Sequence, residues 1–320
     1  FLAAYFTPDF LAVSFQKRLI EQVIDACRSR QSLMDMASFR AMYAGKRNNV
    51  AATVYVRMKE VGMGKNTDGI RPQTHLGSWA EFDMKFNEEA VYCSGISHGA
   101  DTARTFINAL RRQEPIKDFS GERLPASVFF YNQWAISDLE AIFGFTSQQE
   151  YAKAAYSDYI KKRDGEWMEF MKTYAGENVM SCLLHSKDTT DQHPCAVMSV
   201  AVKDEAQAER ALQKLLYATP EEKGAPAVER TYPNYRRYPR ARKYRQYILP
   251  RNTVLTQLTG ITESALHTYA CFYKGALLLA PDAQSLSAYV DAVENGDVLD
   301  GTSVYEEGVG SLSPYYNFAM

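Results

Sequence analysis

The amino-acid sequence predicts an α+β protein in which repeated hairpin-helix-strand units form antiparallel sheets with helices packed mainly on one face. Three observations lead to this prediction. Short apolar segments rich in β-formers occur in pairs that are joined by brief turns, which is typical of antiparallel hairpins. Apolar residues at helical spacing follow each pair. The same order of elements then recurs along the 320 residues of the chain.

The first unit begins with a hairpin between Tyr5 and Val13, because the turn sequence Thr7-Pro8-Asp9 interrupts two apolar runs. Ser14 is a suitable N-cap for the helix that follows. That helix carries an apolar stripe made of Leu19, Ile20, Val23, Ile24 and Cys27. The segment from Val50 to Val56 returns as a strand, since it is rich in β-branched residues.

Later parts of the chain repeat this order. We predict further hairpins within Phe82–Cys93, Val179–Val202 and Tyr269–Ala280, and each is followed by a helical stripe. The last copy has the clearest local signals. Lys274-Gly275 forms the turn of its hairpin, and Asp282 caps its helix.

Length and composition exclude several classes of protein. With 320 residues, of which 46% are hydrophobic, the chain can bury a large core, and we expect two domains: 1–135 with the first two units, and 136–320 with a helical insertion and the later units. The 36 basic and 38 acidic side chains leave a formal net charge of −2, so the molecule as a whole does not attract nucleic acid or anionic membranes. The five cysteines are odd in number and lack C-x-x-C spacing, which argues against a disulfide framework.

The passage YKGALLLAPDAQSLSAYVDAVENGDVLDGTSVYEEGVGSLSPYYNFAM resembles a bacterial family known as domain of unknown function three-three-five-two. LGSWAEFDMKFNEEAVYCSGIS and KYRQYILPRNTVLTQLTG are similar to recurrent segments of that family. The resemblance implies a protein of the bacterial cell envelope, periplasmic or surface-exposed, that is anchored by an N-terminal hydrophobic segment outside this sequence. It implies no catalytic residues. Because the chain begins and ends inside apolar runs, we expect it to be a piece of a longer protein.

The pentapeptide Gly95-Ile96-Ser97-His98-Gly99 matches the G-x-S-x-G pattern of serine hydrolases. In those enzymes the serine stands between a parallel strand and a helix, and a histidine and an acid arrive from elsewhere in the chain. Here only three residues separate the strand before Ser97 from the preceding strand, which requires an antiparallel connection. We therefore interpret Gly95, Ser97, Gly99 and Asp101 as turn and helix-cap residues. A serine hydrolase in which His267 assists Ser97 is the alternative.

Two further patterns suggest ligands but are incomplete. The segment from Val61 to Thr67 resembles a phosphate-binding loop, but Lys59 replaces its first glycine and Asn66 follows its lysine where serine or threonine is needed. Soft-metal ligands occur at the facing ends of one predicted hairpin: His185, His193 and Cys195. Three ligands at irregular spacing are more often ordinary turn residues, so the sequence predicts no metal and no cofactor.

The most unusual composition lies in residues 231–251, which we call the arm and which are rich in arginine and tyrosine. Arginines pair with phosphates and tyrosines stack on unpaired bases, so the arm is a candidate for binding anions or nucleic acid. The candidate binding residues are Arg236, Arg237, Arg240, Arg242, Tyr244 and Arg245. We favour an exposed arm that leads into a strand, in which tyrosines pack, arginines stay in solvent or pair with carboxylates, and at least one side of the strand is packed.

No complete acid-base, nucleophile or metal set is recognisable, so the sequence predicts a non-enzymatic binding or scaffolding protein of the envelope. The expected partner is a protein, a glycan or another anionic envelope component, and membrane contact is expected only through the anchor. Two alternatives stay open: a serine hydrolase centred on Ser97, and an anion- or nucleic-acid-binding module centred on the arm.

Overall fold

The computed structural model describes residues 2–45, 49–58, 77–88, 91–98, 105–117, 120–146, 158–185, 194–217, 230–231, 244–249, 269–309 and 312–319. Two compact units divide the chain. The N-terminal unit comprises Phe1–Val61 and Gly77–Ala100, and the C-terminal unit comprises Gly62–Leu76 and Asp101–Met320. The α+β class and the antiparallel sheets expected from the sequence are confirmed. The domain boundary expected at residue 135, after the first two repeat units, stays a prediction.

The strands are β1 (Ala3–Phe6), β2 (Leu11–Ser14), β3 (Ala52–Arg57), β4 (Trp79–Phe86), β5 (Val91–His98), β6 (Ile116–Lys117), β7 (Val128–Ala135), β8 (Ala175–Leu184), β9 (Cys195–Val202), β10 (Arg230–Thr231), β11 (Arg245–Ile248), β12 (Tyr269–Tyr273), β13 (Ala276–Ala280), β14 (Tyr315–Tyr316) and β15 (Phe318–Ala319). The helices are α1 (Lys17–Ser29), α2 (Ala37–Tyr43), α3 (Phe106–Arg111), α4 (Ser120–Arg123), α5 (Leu139–Thr146), α6 (Asp158–Tyr174), α7 (Glu205–Tyr217), α8 (Ala283–Glu294) and α9 (Ser303–Val309). None of these described helices is long and apolar enough to cross a membrane.

The N-terminal unit contains two small antiparallel sheets. In the first, β1 pairs with β2 from Ala3 opposite Ser14 to Phe6 opposite Leu11, and α1 contacts both strands. In the second, β4 lies between β3 and β5. Phe39 and Met42 of α2 pack against Trp79 of this sheet and form a small buried cluster.

Eight of the described strands of the C-terminal unit form one sheet in the order β10-β11-β12-β13-β9-β8-β7-β15. Successive side chains of a strand point to opposite faces of the sheet. Buried apolar side chains lie on both faces of this sheet, and helices cover each face. Residues of α3, α5, α6 and α7 pack in the core on one face, and residues of α8 pack in the core on the other. A second small sheet pairs β14 with β6.

The local signals of the last hairpin are confirmed. Lys274 and Gly275 both have positive φ, 48° and 75°, which is the geometry of a tight two-residue hairpin turn. The Asp282 side chain accepts a hydrogen bond of 2.7 Å from the Ser285 backbone N–H and so caps α8.

Other local predictions are wrong in detail. Ser14 does not cap α1; its hydroxyl accepts from the Gln16 N–H at 3.0 Å, while Gln16 takes the cap position without a side-chain bond.

A hairpin followed by a helix does recur, in β1-β2-α1, β4-β5-α3, β8-β9-α7 and β12-β13-α8. The hairpins differ in their surroundings, since β1 and β2 form a sheet of their own while β12 and β13 lie inside the large sheet. A structural repeat is therefore not confirmed.

Candidate functional site

The register of β3, β4 and β5 gathers polar side chains on one face of the N-terminal sheet. Asp83 lies opposite Ser94, and Glu81 lies opposite Tyr55 on one side and Ile96 on the other. At the end of the sheet, His98 lies opposite Trp79. Since alternate residues share a face, the two carboxylates and the imidazole lie on the side that α2 covers through its contact with Trp79.

A cleft of about 390 Å³ opens between α2 and this face of the sheet. It is lined by Ala41, Met42, Gly45, Glu81, Asp83, Ser94, Gly95, Ile96 and His98. The volume falls in the range of small-molecule sites. Among these described lining residues there are two carboxylates and no lysine or arginine, so the described part of the lining carries negative charge.

Hydrogen bonds fix only part of this polar set. The Thr53 hydroxyl donates to Asp83 Oδ1 at 3.0 Å, which holds that carboxylate in place. His98 Nε2 lies 3.6 Å from Glu81 Oε1, which is too long for a hydrogen bond. His98 Nε2 and the Tyr55 hydroxyl oxygen are buried atoms without a hydrogen-bond partner. A buried polar atom that lacks a hydrogen-bond partner costs free energy, so His98 Nε2, which belongs to the cleft lining, would gain from a ligand.

The environment of Tyr55 keeps its phenol protonated. Burial raises the pKa of Tyr55 above its ordinary value, and the nearby charges of Glu81 and Asp83 raise it further. The hydroxyl therefore remains a hydrogen-bond donor beside the two carboxylates.

Gly95 allows β4 and β5 to approach closely beside the cleft. A Cβ atom at this position would collide with the backbone carbonyl of Glu81 and would lie 2.9 Å from the Cα of Phe82. Any side chain there would push the strands apart. The glycine is therefore required by packing against β4, which also carries Glu81 and Asp83.

The structure corrects the turn-and-cap role of Ser97, which lies inside β5 and pairs with Ala80 of β4. The antiparallel connection itself is confirmed. Because Ser97 and His98 are adjacent in a strand, their side chains point to opposite faces of the sheet. The described residues thus do not bring serine and histidine together as a hydrolase requires. Gly99, Asp101 and His267 lie outside the described residues.

The arm is only partly described. Arg236, Arg237, Arg240 and Arg242 lie outside the described residues, while Arg245 is exposed on β11. Tyr244 is partly buried against the core under α8, where its hydroxyl donates to Ser287 Oγ at 3.3 Å. Tyr247 packs in the core on the opposite face and donates to Glu209 Oε1 at 2.5 Å. The strand therefore packs on both sides, with Tyr244 on one face and Tyr247 on the other.

Replacing Tyr244 with phenylalanine should reduce the loss of stability at high pH. Burial raises the pKa of Tyr244 from its ordinary value of 10.0 to about 12, despite its bond to Ser287. Between these values the unfolded chain ionises its phenol while the folded chain does not, so stability is intact below pH 10 and falls as pH rises toward 12. Urea unfolding at pH 9 and pH 11 should show a smaller difference in Tyr244→Phe than in the wild type. An equal difference would mean that Tyr244 is not shielded from water.

The other sequence patterns yield no assembled site in the described part of the chain. Cys195 is buried in the core under α8, whereas His185 is exposed and stacks against Phe129 at 4.6 Å between ring centroids. His193 and the segment from Val61 to Thr67 lie outside the described residues. The described residues contain no group of three metal-ligating side chains.

The acidic residues of the cleft were missed by the sequence reasoning, although a signal for them exists. Glu81 and Asp83 alternate with Phe82 and Met84, which places two carboxylates on one face of a strand. The apolar residues Phe82 and Met84 predict the hairpin. The two carboxylates become recognisable as part of a site only through the strand register, which places His98 and Ser94 on the same face.

Comparison of the chain with protein-family models, with curated proteins and with solved structures gave no match. The resemblance to the family of unknown function stays a prediction.

Proposed function

We propose that the protein is a non-enzymatic binding protein that receives a cationic group, a guanidinium or an ammonium, in the cleft of its N-terminal unit. The observation that carries this proposal is the presence of two carboxylates and the buried, unpartnered Nε2 of His98 in the lining of one cleft of about 390 Å³. The envelope setting enters the proposal only through the family resemblance.

Charge and hydrogen bonding both favour a cationic group. Glu81 is only 15% exposed, and His98 at 3.6 Å is too far away to donate a hydrogen bond to it, so its carboxylate can accept one from a ligand. A guanidinium offers several N–H donors in one plane and matches carboxylate oxygens in geometry. Met42 and Ile96 supply apolar contact for the aliphatic part of such a group.

The arrangement also favours binding over catalysis. A nucleophilic serine needs a base within hydrogen-bond reach, and Ser97 points away from the face that carries His98. Ser94 shares that face with His98, but four residues of extended strand separate their Cα atoms by about 13 Å. The described part of the cleft therefore contains acceptors for a ligand but no nucleophile beside a base.

Isothermal titration calorimetry with N-acetylarginine amide should detect binding, and the isosteric urea N-acetylcitrulline amide should bind far more weakly. Glu81→Gln keeps the shape of the cleft but removes a charge-assisted hydrogen bond, so we expect the dissociation constant to rise by about tenfold or more. Asp83→Asn should act in the same direction.

Glu88→Gln is the matched control, because Glu88 is exposed beyond the end of β4 and does not line the cleft. It should bind like the wild type. Equal affinity for arginine and citrulline derivatives, or equal losses in Glu81→Gln and Glu88→Gln, would contradict a specific cation site in the cleft.

The hydrolase alternative has a direct chemical test. Incubation with a fluorophosphonate probe should leave Ser97 unmodified, because its side chain and that of His98 point to opposite faces of the sheet. Mass spectrometry of the digested protein locates any adduct. Stoichiometric labelling that disappears in Ser97→Ala would establish a nucleophile and overturn the non-enzymatic proposal.

A further inference from the structure

The β1-β2 hairpin presents an apolar face that is exposed in the described part of the chain, which we call the outer hairpin face. Its residues share one side of the hairpin, opposite the side that faces α1, and are Leu2, Ala4, Phe6, Leu11, Val13 and Phe15. Phe6 is 74% exposed and Phe15 is 85% exposed, while Leu11 and Val13 remain about half exposed at 55% and 49%. In a lone chain this face leaves large apolar side chains in water.

The hairpin is preorganised rather than loosely held. The Thr7 N–H donates to the Phe10 carbonyl at 3.0 Å, and the Thr7 hydroxyl both donates to that carbonyl and accepts from the Phe10 N–H. The Tyr5 and Phe10 rings contact edge to face, with centroids 6.4 Å apart. A surface fixed in this way loses little conformational entropy when it binds.

We infer that the outer hairpin face is the interface between two copies of this chain, packed face to face. The exposed side chains of the face offer on the order of 700 Å² per copy, comparable with the surface that each partner of a standard interface buries. A face without charge is complementary to itself, which is what a symmetric pair requires. Packing the two hairpins across a twofold axis would form a small β-sandwich.

Charge favours a second copy over a lipid surface. Asp9 is the one charged residue between Leu2 and Gln16, and anionic headgroups repel it. The next cations are Lys17, which pairs with Glu21 at 3.2 Å, and Arg18, both on α1. A membrane-binding hairpin would instead carry lysines and arginines along its own strands and turn, where this hairpin has Asp9.

Sedimentation velocity over a concentration series tests this interface in the 320-residue chain. The wild type should show a concentration-dependent dimer. The double variant Phe6→Glu/Val13→Glu places like charges across the twofold axis and should weaken dimerisation by at least about 100-fold. Because both side chains point to solvent in a single chain, its far-UV circular dichroism should match that of the wild type, and so should its melting temperature at a concentration where the wild type is monomeric.

Phe86→Glu is the matched control, since Phe86 is a phenylalanine that is 57% exposed on β4, outside the outer hairpin face. It should dimerise like the wild type. A monomeric wild type at high concentration, or a dimer that survives the double variant, would overturn the inference. So would a wild type that stays monomeric but binds vesicles of phosphatidylglycerol and phosphatidylcholine, with binding lost in the double variant.

Discussion

Replacing Leu277 with alanine should lower the free energy of unfolding of the C-terminal unit by about 2–5 kcal/mol. Leu277 is completely buried at the centre of β13, between Phe272 of β12 and Val200 of β9. All three side chains belong to the core that α6 and α7 cover, so the cavity left by the shorter side chain cannot fill with solvent. Urea unfolding combined with hydrogen exchange of β9 and β13 measures the loss.

Leu312→Ala is the matched control, because Leu312 is 65% exposed and its truncation removes little packing. It should change stability by less than about 0.5 kcal/mol. If both variants unfolded alike, the sheet would not be covered on the face that carries Leu277.

Gly95→Ala should destabilise the N-terminal sheet by about 3 kcal/mol or more. The added methyl group would meet the backbone of Glu81 and Phe82, which cannot rotate away as a flexible side chain would. The strands must therefore separate, and the cleft should lose its shape. Hydrogen exchange read by mass spectrometry should show faster exchange in β4 and β5, while the large sheet of the C-terminal unit stays protected.

Cys93→Ala is the control for this prediction. Cys93 lies two residues away on the same strand and face as Gly95, and it is exposed. Its replacement should leave exchange in β4 and β5 unchanged. Unchanged exchange in Gly95→Ala as well would mean that the two strands do not approach as closely as the structure shows.

Local sequence signals correctly predicted the turn and the helix cap where these agree with the strand pairing. Lys274-Gly275 and Asp282 predicted the last hairpin and the start of α8, because a positive φ and a side-chain acceptor each act within a few residues. The antiparallel class followed from the short connections between strands.

Ser94–His98 was misread because glycine and serine signal a turn in most contexts. Pairing with Trp79–Asp83 of β4 satisfies the backbone along this segment, and Gly95 is needed for close approach rather than for a bend. Tertiary pairing thus overrides the local preference.

The sequence patterns could not predict contacts between distant segments of the chain. The pairing of Phe318 with Trp134, and the packing of Tyr244 and Tyr247 on opposite faces of the sheet, depend on which strands become neighbours. A single strand shows which residues share a face, but not which helix will cover that face.

The N-terminal cleft should bind a cationic group, and an NMR titration decides this claim. N-acetylarginine amide added to ¹⁵N-labelled protein should shift the backbone amides of 81–83 and 94–98, and Glu81→Gln should suppress these shifts. Shifts confined to the C-terminal unit would contradict the claim. So would the absence of shifts at a ligand concentration of about 10 mM, because a site that stays empty at this concentration binds too weakly to be specific.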